Sequence, residues 1–120
     1  MKINFKKLDQ TKKIVQFLDG IFPLETDKKF SWMWTSTKVN GIVSNVQSIT
    51  IKAFSEIDNI LIHDDTEMEI KSDCLNIIKL NTIEKEEFIF ELKNSFNPPN
   101  DDRELGLKIV GILIDEEIIF

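Results

Sequence analysis

Ser48-Ile49-Thr50-Ile51-Lys52-Ala53 alternates polar and apolar side chains without a break. In an extended chain successive side chains point to opposite faces. The stretch therefore reads as a strand with Ile49, Ile51 and Ala53 on one face and Ser48, Thr50 and Lys52 on the other. The same period recurs on both sides of it. Ile3 and Phe5 alternate with Lys2, Asn4 and Lys6; Met68 and Ile70 with Glu67, Glu69 and Lys71; Phe88, Phe90 and Leu92 with Glu87, Glu91 and Lys93. Leu107–Ile114 is apolar apart from Lys108 and Gly111, the pattern of a central strand covered on both faces.

Turn chemistry falls between these runs. Asn40-Gly41, between Val39 and Ile42, predicts a two-residue hairpin turn, which requires positive φ at both positions. Asp58-Asn59 and Asp64-Asp65 separate short apolar pieces. Asn97-Pro98-Pro99-Asn100-Asp101-Asp102 is a loop, because two prolines cannot donate to a ladder. Strand-like runs recurring about every ten residues, each closed by a turn, predict an all-β protein, a sandwich or a barrel. Residues 9–18 allow two readings. One is a short helix capped by Asp9 and closed by Gly20. The other, favoured by the β-branched Ile14-Val15 pair, is a strand from about Lys13 to Leu18. Ile118-Ile119-Phe120 is too apolar to trail in water and is expected to dock.

A chain of 120 residues holds a single domain, expected to span residues 1–120. Its 42% hydrophobic and 30% charged residues are the balance of a globular protein rather than a disordered one. Nine Phe, two Trp and no Tyr make the aromatic content mostly Phe, which lacks a polar handle and belongs in a core. The net charge of −6 counts against nucleic acid or an anionic membrane as partner. Lys2, Lys6, Lys7, Lys12 and Lys13 form the one basic cluster, expected to be a solvated N-terminal edge whose lysines deter strand pairing. Cys74 stands alone, so an internal disulfide and a cysteine-based zinc site are both out. No apolar stretch follows the N-terminal charge, and residues 109–114 fall far short of the roughly 20 apolar residues of a membrane helix. A cytoplasmic location without membrane insertion is the expectation.

No catalytic constellation emerges. His63, the sole histidine, precedes Asp64-Asp65 at an apparent strand end and reads as an exposed turn residue; no glycine-rich nucleophile elbow accompanies it. Gly20, Gly41, Gly106 and Gly111 are too scattered for a phosphate loop. No carboxylate spacing implies the pair a glycosidase holds about 5 to 10 Å apart. Asp64, Asp65 and Glu67, or Asp101 and Asp102, offer oxygen ligands suited to calcium but lack the alternating ligands and glycine of a helix-loop-helix site. Catalytic residues, metal and cofactor are all expected to be absent.

Phe30-Ser31-Trp32-Met33-Trp34-Thr35 holds the feature with most functional content. In a strand, Phe30, Trp32 and Trp34 share a face. Exposed, such a row stacks against the C–H faces of sugar rings; buried, it is core. Both readings stay open at this point.

Two stretches carry a resemblance. Gly20-Ile21-Phe22-Pro23-Leu24-Glu25, followed by Phe30-Ser31-Trp32, is similar to a Gly-aromatic-Pro-Leu-Glu … Phe-Arg-Trp pattern, with Ser31 in place of the arginine. Phe96-Asn97-Pro98, followed by Asp101-Asp102-Arg103-Glu104-Leu105-Gly106-Leu107-Lys108-Ile109-Val110-Gly111-Ile112, resembles an Asp-x-Arg-x-Leu-Gly-x-x-Val-x-x-Ile signature. Both patterns belong to a β-sandwich module found beside bacterial glycosyltransferases and surface-polysaccharide proteins. Over residues 18–115 the resemblance implies a two-sheet antiparallel β-sandwich, jelly-roll-like, with a carbohydrate-related role. It implies no catalytic residues, since the chemistry of those proteins lies in another domain. The expected function is a non-catalytic module that binds a saccharide or docks beside a glycosyltransferase in polysaccharide assembly. Trp32, Trp34, Glu25 and Arg103 are its candidate ligand-binding residues. The alternative is a structural or protein-interaction domain that forms a homo-oligomer and binds no ligand. For Arg103 a structural role is expected, with Glu25 (or Asp101) accepting its planar fork of donors.

Overall fold

In the computed structural model of the chain, which describes residues 3–6 and 12–120, each alternating run is a strand. The strands are β1 (Ile3–Lys6), β2 (Ile14–Ile21), β3 (Glu25–Thr26), β4 (Ser31–Ser44), β5 (Ser48–Ser55) and β6 (Asn59–His63). They continue as β7 (Thr66–Ile70), β8 (Asn76–Asn81), β9 (Glu87–Leu92), β10 (Leu107–Ile114) and β11 (Glu117–Ile118). All join one antiparallel sheet that is nearly closed and barrel-like, with path order β7-β6-β9-β4-β10-β5-β8. No described helix is long and apolar enough to cross a membrane.

β4 organises the sheet. On one edge it pairs with β2 and then β3; on the other it pairs first with β10 and then with β9. The carbonyls show the alternation: Trp34 O accepts from Phe22 N at 2.9 Å, and Thr35 O accepts from Gly106 N at 2.7 Å. One edge of a single strand thus serves two partners that diverge near Ser36, and the strands on either side of that point curl toward each other. Val15 and Phe17 of β2, Ile49 and Ile51 of β5, Leu61 of β6, Phe90 of β9 and Ile109 of β10 fill the space between, all fully buried.

Several expectations need correction. Asn40-Gly41 is not a turn: both residues lie inside β4, paired to β2 and β9, and Gly41 has no positive φ. The two-residue turns with positive φ at both positions are Asp64-Asp65, between β6 and β7, and Asp115-Glu116, between β10 and β11. Residues 14–21 form a strand rather than part of a helix; Asp9, the candidate helix cap, lies outside the described residues, as do Lys2 and Lys7. His63 is 5% exposed, not a solvent-facing turn residue. It follows Asn59 and Leu61 on the inward face of β6, with Nδ1 3.0 Å from Ile89 O and Nε2 3.3 Å from Asp64 Oδ2. β10 is covered fully on its inner face only, since Lys108, Val110 and Leu113 are half-buried on the other. Ile119 and Phe120 dock against the core through backbone bonds to Ile112, whereas Ile118 faces solvent.

The Asp115 turn is tied to the rest of the fold. Asp115 Oδ1 accepts from Gln47 N and Ser48 N at 2.8 and 3.0 Å, and Lys13 Nζ lies 2.7 Å from Oδ2. Burial alone would push this carboxyl up. The Lys13 hydrogen bond, the two N–H donors and the Lys13 charge outweigh it and hold the carboxyl below the usual Asp range. A depressed folded value stabilises fully above the unfolded value of about 3.9 and is lost as pH falls through the folded value. Urea midpoints should therefore drop below about pH 4, and the drop should be shallower in Asp115→Asn. Parallel curves for the two proteins would show that Asp115 contributes nothing to acid sensitivity.

Candidate functional site

Inward positions of β4 are Met33, Thr35, Val39, Gly41 and Val43, so the even-numbered residues face outward. Phe30, Trp32 and Trp34 accordingly line the outer surface, with Phe30 67% exposed and both tryptophans half-buried. The register sets what lies beside them. Trp34 is opposite Lys108, Lys108 is opposite Phe54, and Glu25 is opposite Trp32. Residues directly opposite across a ladder share a face, so Glu25, the tryptophans, Lys108 and Phe54 form one continuous outer strip. A shallow concavity of about 550 Å³ opens here, lined in part by Phe30, Trp32, Phe54, Lys108, Val110 and Phe120.

Lys108 sits at the centre. Its Nζ is 4.5 Å from the Trp32 ring centroid and 5.9 Å from that of Trp34. A cation over an indole at a partly exposed site contributes about 0.5–1 kcal/mol. Among the described residues no carboxylate lies within 4.0 Å of this ammonium. Asp27, on the rim, has its Oδ1 engaged by Lys29 N and Phe30 N, both at 2.8 Å. Those backbone N–H bonds hold its carboxyl below the usual Asp range. The turn they close joins β3 to β4 and presents Phe30. Trp32 Nε1 is buried and has no hydrogen-bond partner among the described residues. An indole N–H left in that state is uncommon and calls for an acceptor.

Arg103 and Glu25 are brought together, but Asp101 is the main partner. Arg103 Nε lies 3.0 Å from both Asp101 oxygens, and Nη2 lies 2.6 Å from Oδ2. Glu25 Oε2 is farther, 3.6 Å from Nη1. The guanidinium carbon stands 5.3 Å from the Phe22 ring centroid, and Asn97 Nδ2 donates to Arg103 O at 3.0 Å. The fork thus pins the proline-containing loop onto the chain between β2 and β3. Asp101 is favoured because it is two residues away and its carboxylate also accepts Arg103 N, closing a local turn. Those bonds, with the Arg103 charge, hold the Asp101 carboxyl below its usual range.

Of the four candidate residues, Trp32 and Trp34 line the outer strip with Lys108 between them, Glu25 flanks Trp32, and Arg103 anchors the loop behind. Lys108 and Phe54 were missed by sequence reasoning. Lys108 read as a lone interruption of an apolar strand; a single cation on the outward pleat of such a strand was the available signal. Comparison with protein families, curated proteins and solved structures returns no match for this chain.

Proposed function

We propose that this protein is a non-catalytic saccharide-binding module whose contact surface is the outer strip around Trp32 and Trp34. One observation carries the reading: an outward-facing aromatic row borders a concavity that also offers an ammonium outside any ion pair. Sugar rings present apolar C–H faces to aromatics and hydroxyls to such a polar group. In this reading the layers that diverge from β4 correspond to a jelly-roll-like sandwich. The setting, polysaccharide assembly beside a bacterial glycosyltransferase, is supported by the two sequence motifs. Arg103 and Glu25 act by holding the loop and the edge of the strip rather than by contacting ligand.

Glycan-array screening followed by calorimetry should find dissociation constants of roughly 10 µM to 1 mM, the range of small polar ligands that bury little area. Trp32→Ala and Trp34→Ala should abolish binding while retaining far-ultraviolet circular dichroism. Binding that survives in the double variant would reject the platform. A second reading is favoured by a specific feature: the apolar strip continues past Phe54 to Leu75 and to Ile77 of the edge strand β8, which is 67% exposed. Contiguous apolar surface at a sheet edge suits self-association. Absence of any glycan ligand, together with a concentration-dependent mass in sedimentation, would favour this homo-oligomer.

A further inference from the structure

We infer that the saccharide bound at this strip carries a carboxylate, as in a uronic acid, with Lys108 as the residue that selects it; this rests on the saccharide-binding reading above. Lys108 Nζ is over the Trp32 ring and therefore covers the aromatic face that a sugar would use. A neutral ring must displace the ammonium and forfeit its contact with the indole. A carboxylated ring has a different option. Its carboxylate projects from the ring edge, so it can pair with the ammonium while the C–H face meets Phe30 and the exposed edge of Trp32.

The local charges agree. No carboxylate among the described residues is within 4.0 Å of Lys108 Nζ, so its donors are available without breaking an ion pair. Lys29 adds a second cation to the lining. The one carboxylate that lines the concavity, Asp27, has an oxygen occupied by its own turn and its charge reaches Lys108, yet with Lys29 and Lys108 the lining keeps one net positive charge. The chain carries a net −6, but charges farther than about 8 Å are screened at physiological ionic strength, and the nearby lysines decide what is attracted. A bare phosphate would satisfy the lysines and leave Phe30 and Phe54 without a partner, whereas a carboxylated pyranose uses both kinds of surface.

The test is an array bearing neutral glycans and glycans with carboxylated sugars, followed by titration of the best carboxylated glycan and its methyl ester. The free acid should bind at least tenfold tighter than the ester, and added sodium chloride should erode the difference. Lys108→Gln should bring acid and ester to parity, and Lys108→Arg should keep the preference. Equal affinity for acid and ester in the unaltered protein, or a preference that survives Lys108→Gln, overturns the inference. Should Lys108→Gln fail to fold, the acid-against-ester comparison on the unaltered protein decides by itself. Neutral glycans bound without preference would leave the platform standing and reject the carboxylate. A blank array would reject both.

Discussion

Gly41→Val should cost about 3 kcal/mol or more, measured as a drop in the urea midpoint at constant slope. Gly41 lies inward on β4, opposite Phe17 of β2 on one side and Phe88 of β9 on the other. The rings of Phe17 and Phe88 meet edge to face across it, with centroids 5.2 Å apart. The glycine leaves room for that contact. A Cβ at position 41 would stand 2.3 Å from Gln16 O and 2.5 Å from Phe88 Cε1, closer than any real side chain approaches. The first neighbour is backbone of a paired strand and cannot move without opening the β2–β4 ladder. Because the cause is volume and not φ, Gly41→Asn should be as damaging as a hydrophobic of similar size. Tolerance of Asn with rejection of Val would point back to a left-handed backbone and sink the packing account.

Thr35→Val is expected to cost about 1–3 kcal/mol, the penalty of leaving buried polar groups without partners. Thr35 is fully buried where β9 and β10 part company along β4. Its hydroxyl donates to Ser36 O at 2.8 Å and accepts from Leu107 N at 2.9 Å, and its carbonyl accepts from Gly106 N. At a divergence the ladder runs out of partners, and the side chain supplies the acceptor that a neighbouring strand would have given. Valine matches the shape but not the hydroxyl. Thr35→Ser keeps the oxygen, so its chief loss should be the methyl group. Indistinguishable midpoints for Val and Ser would show that the hydroxyl contributes nothing. Lys108 follows Leu107 directly, so loosening at this point should also disturb the contact of Lys108 with Trp32.

The candidate site was legible in part. That Phe30, Trp32 and Trp34 share a face follows from strand parity, but parity alone does not say which face is outside. Their exposure was decided by Met33 and Thr35 turning inward and by β10 and β5 leaving their outer side half open. Lys108 was invisible as a site residue because its meaning depends on lying opposite Trp34, from a strand more than seventy residues away. For Arg103 the need for a carboxylate followed from its chemistry. That Asp101 outcompetes Glu25 came from a turn whose geometry only the folded loop shows.

Asn40-Gly41 shows why hairpin signals fail. The pair is equally at home in a tight turn and at a strand position crowded by aromatics, and β4 at 14 residues exceeds the usual strand length of about 3–10, so a break in its middle was the natural reading. The amino-acid pattern alone carries the period-two alternation, hence the all-β class, which residues share a face within a strand, the Asp64-Asp65 turn and the proline-containing loop. These are local consequences of the pleat and of which residues tolerate positive φ. Tertiary structure decided the long unbroken β4, its divergence at Ser36, the near-closure of the sheet and the placing of Lys108 on Trp32. Each of these depends on pairing between distant segments, where partner and register are chosen by how whole faces bury against one another.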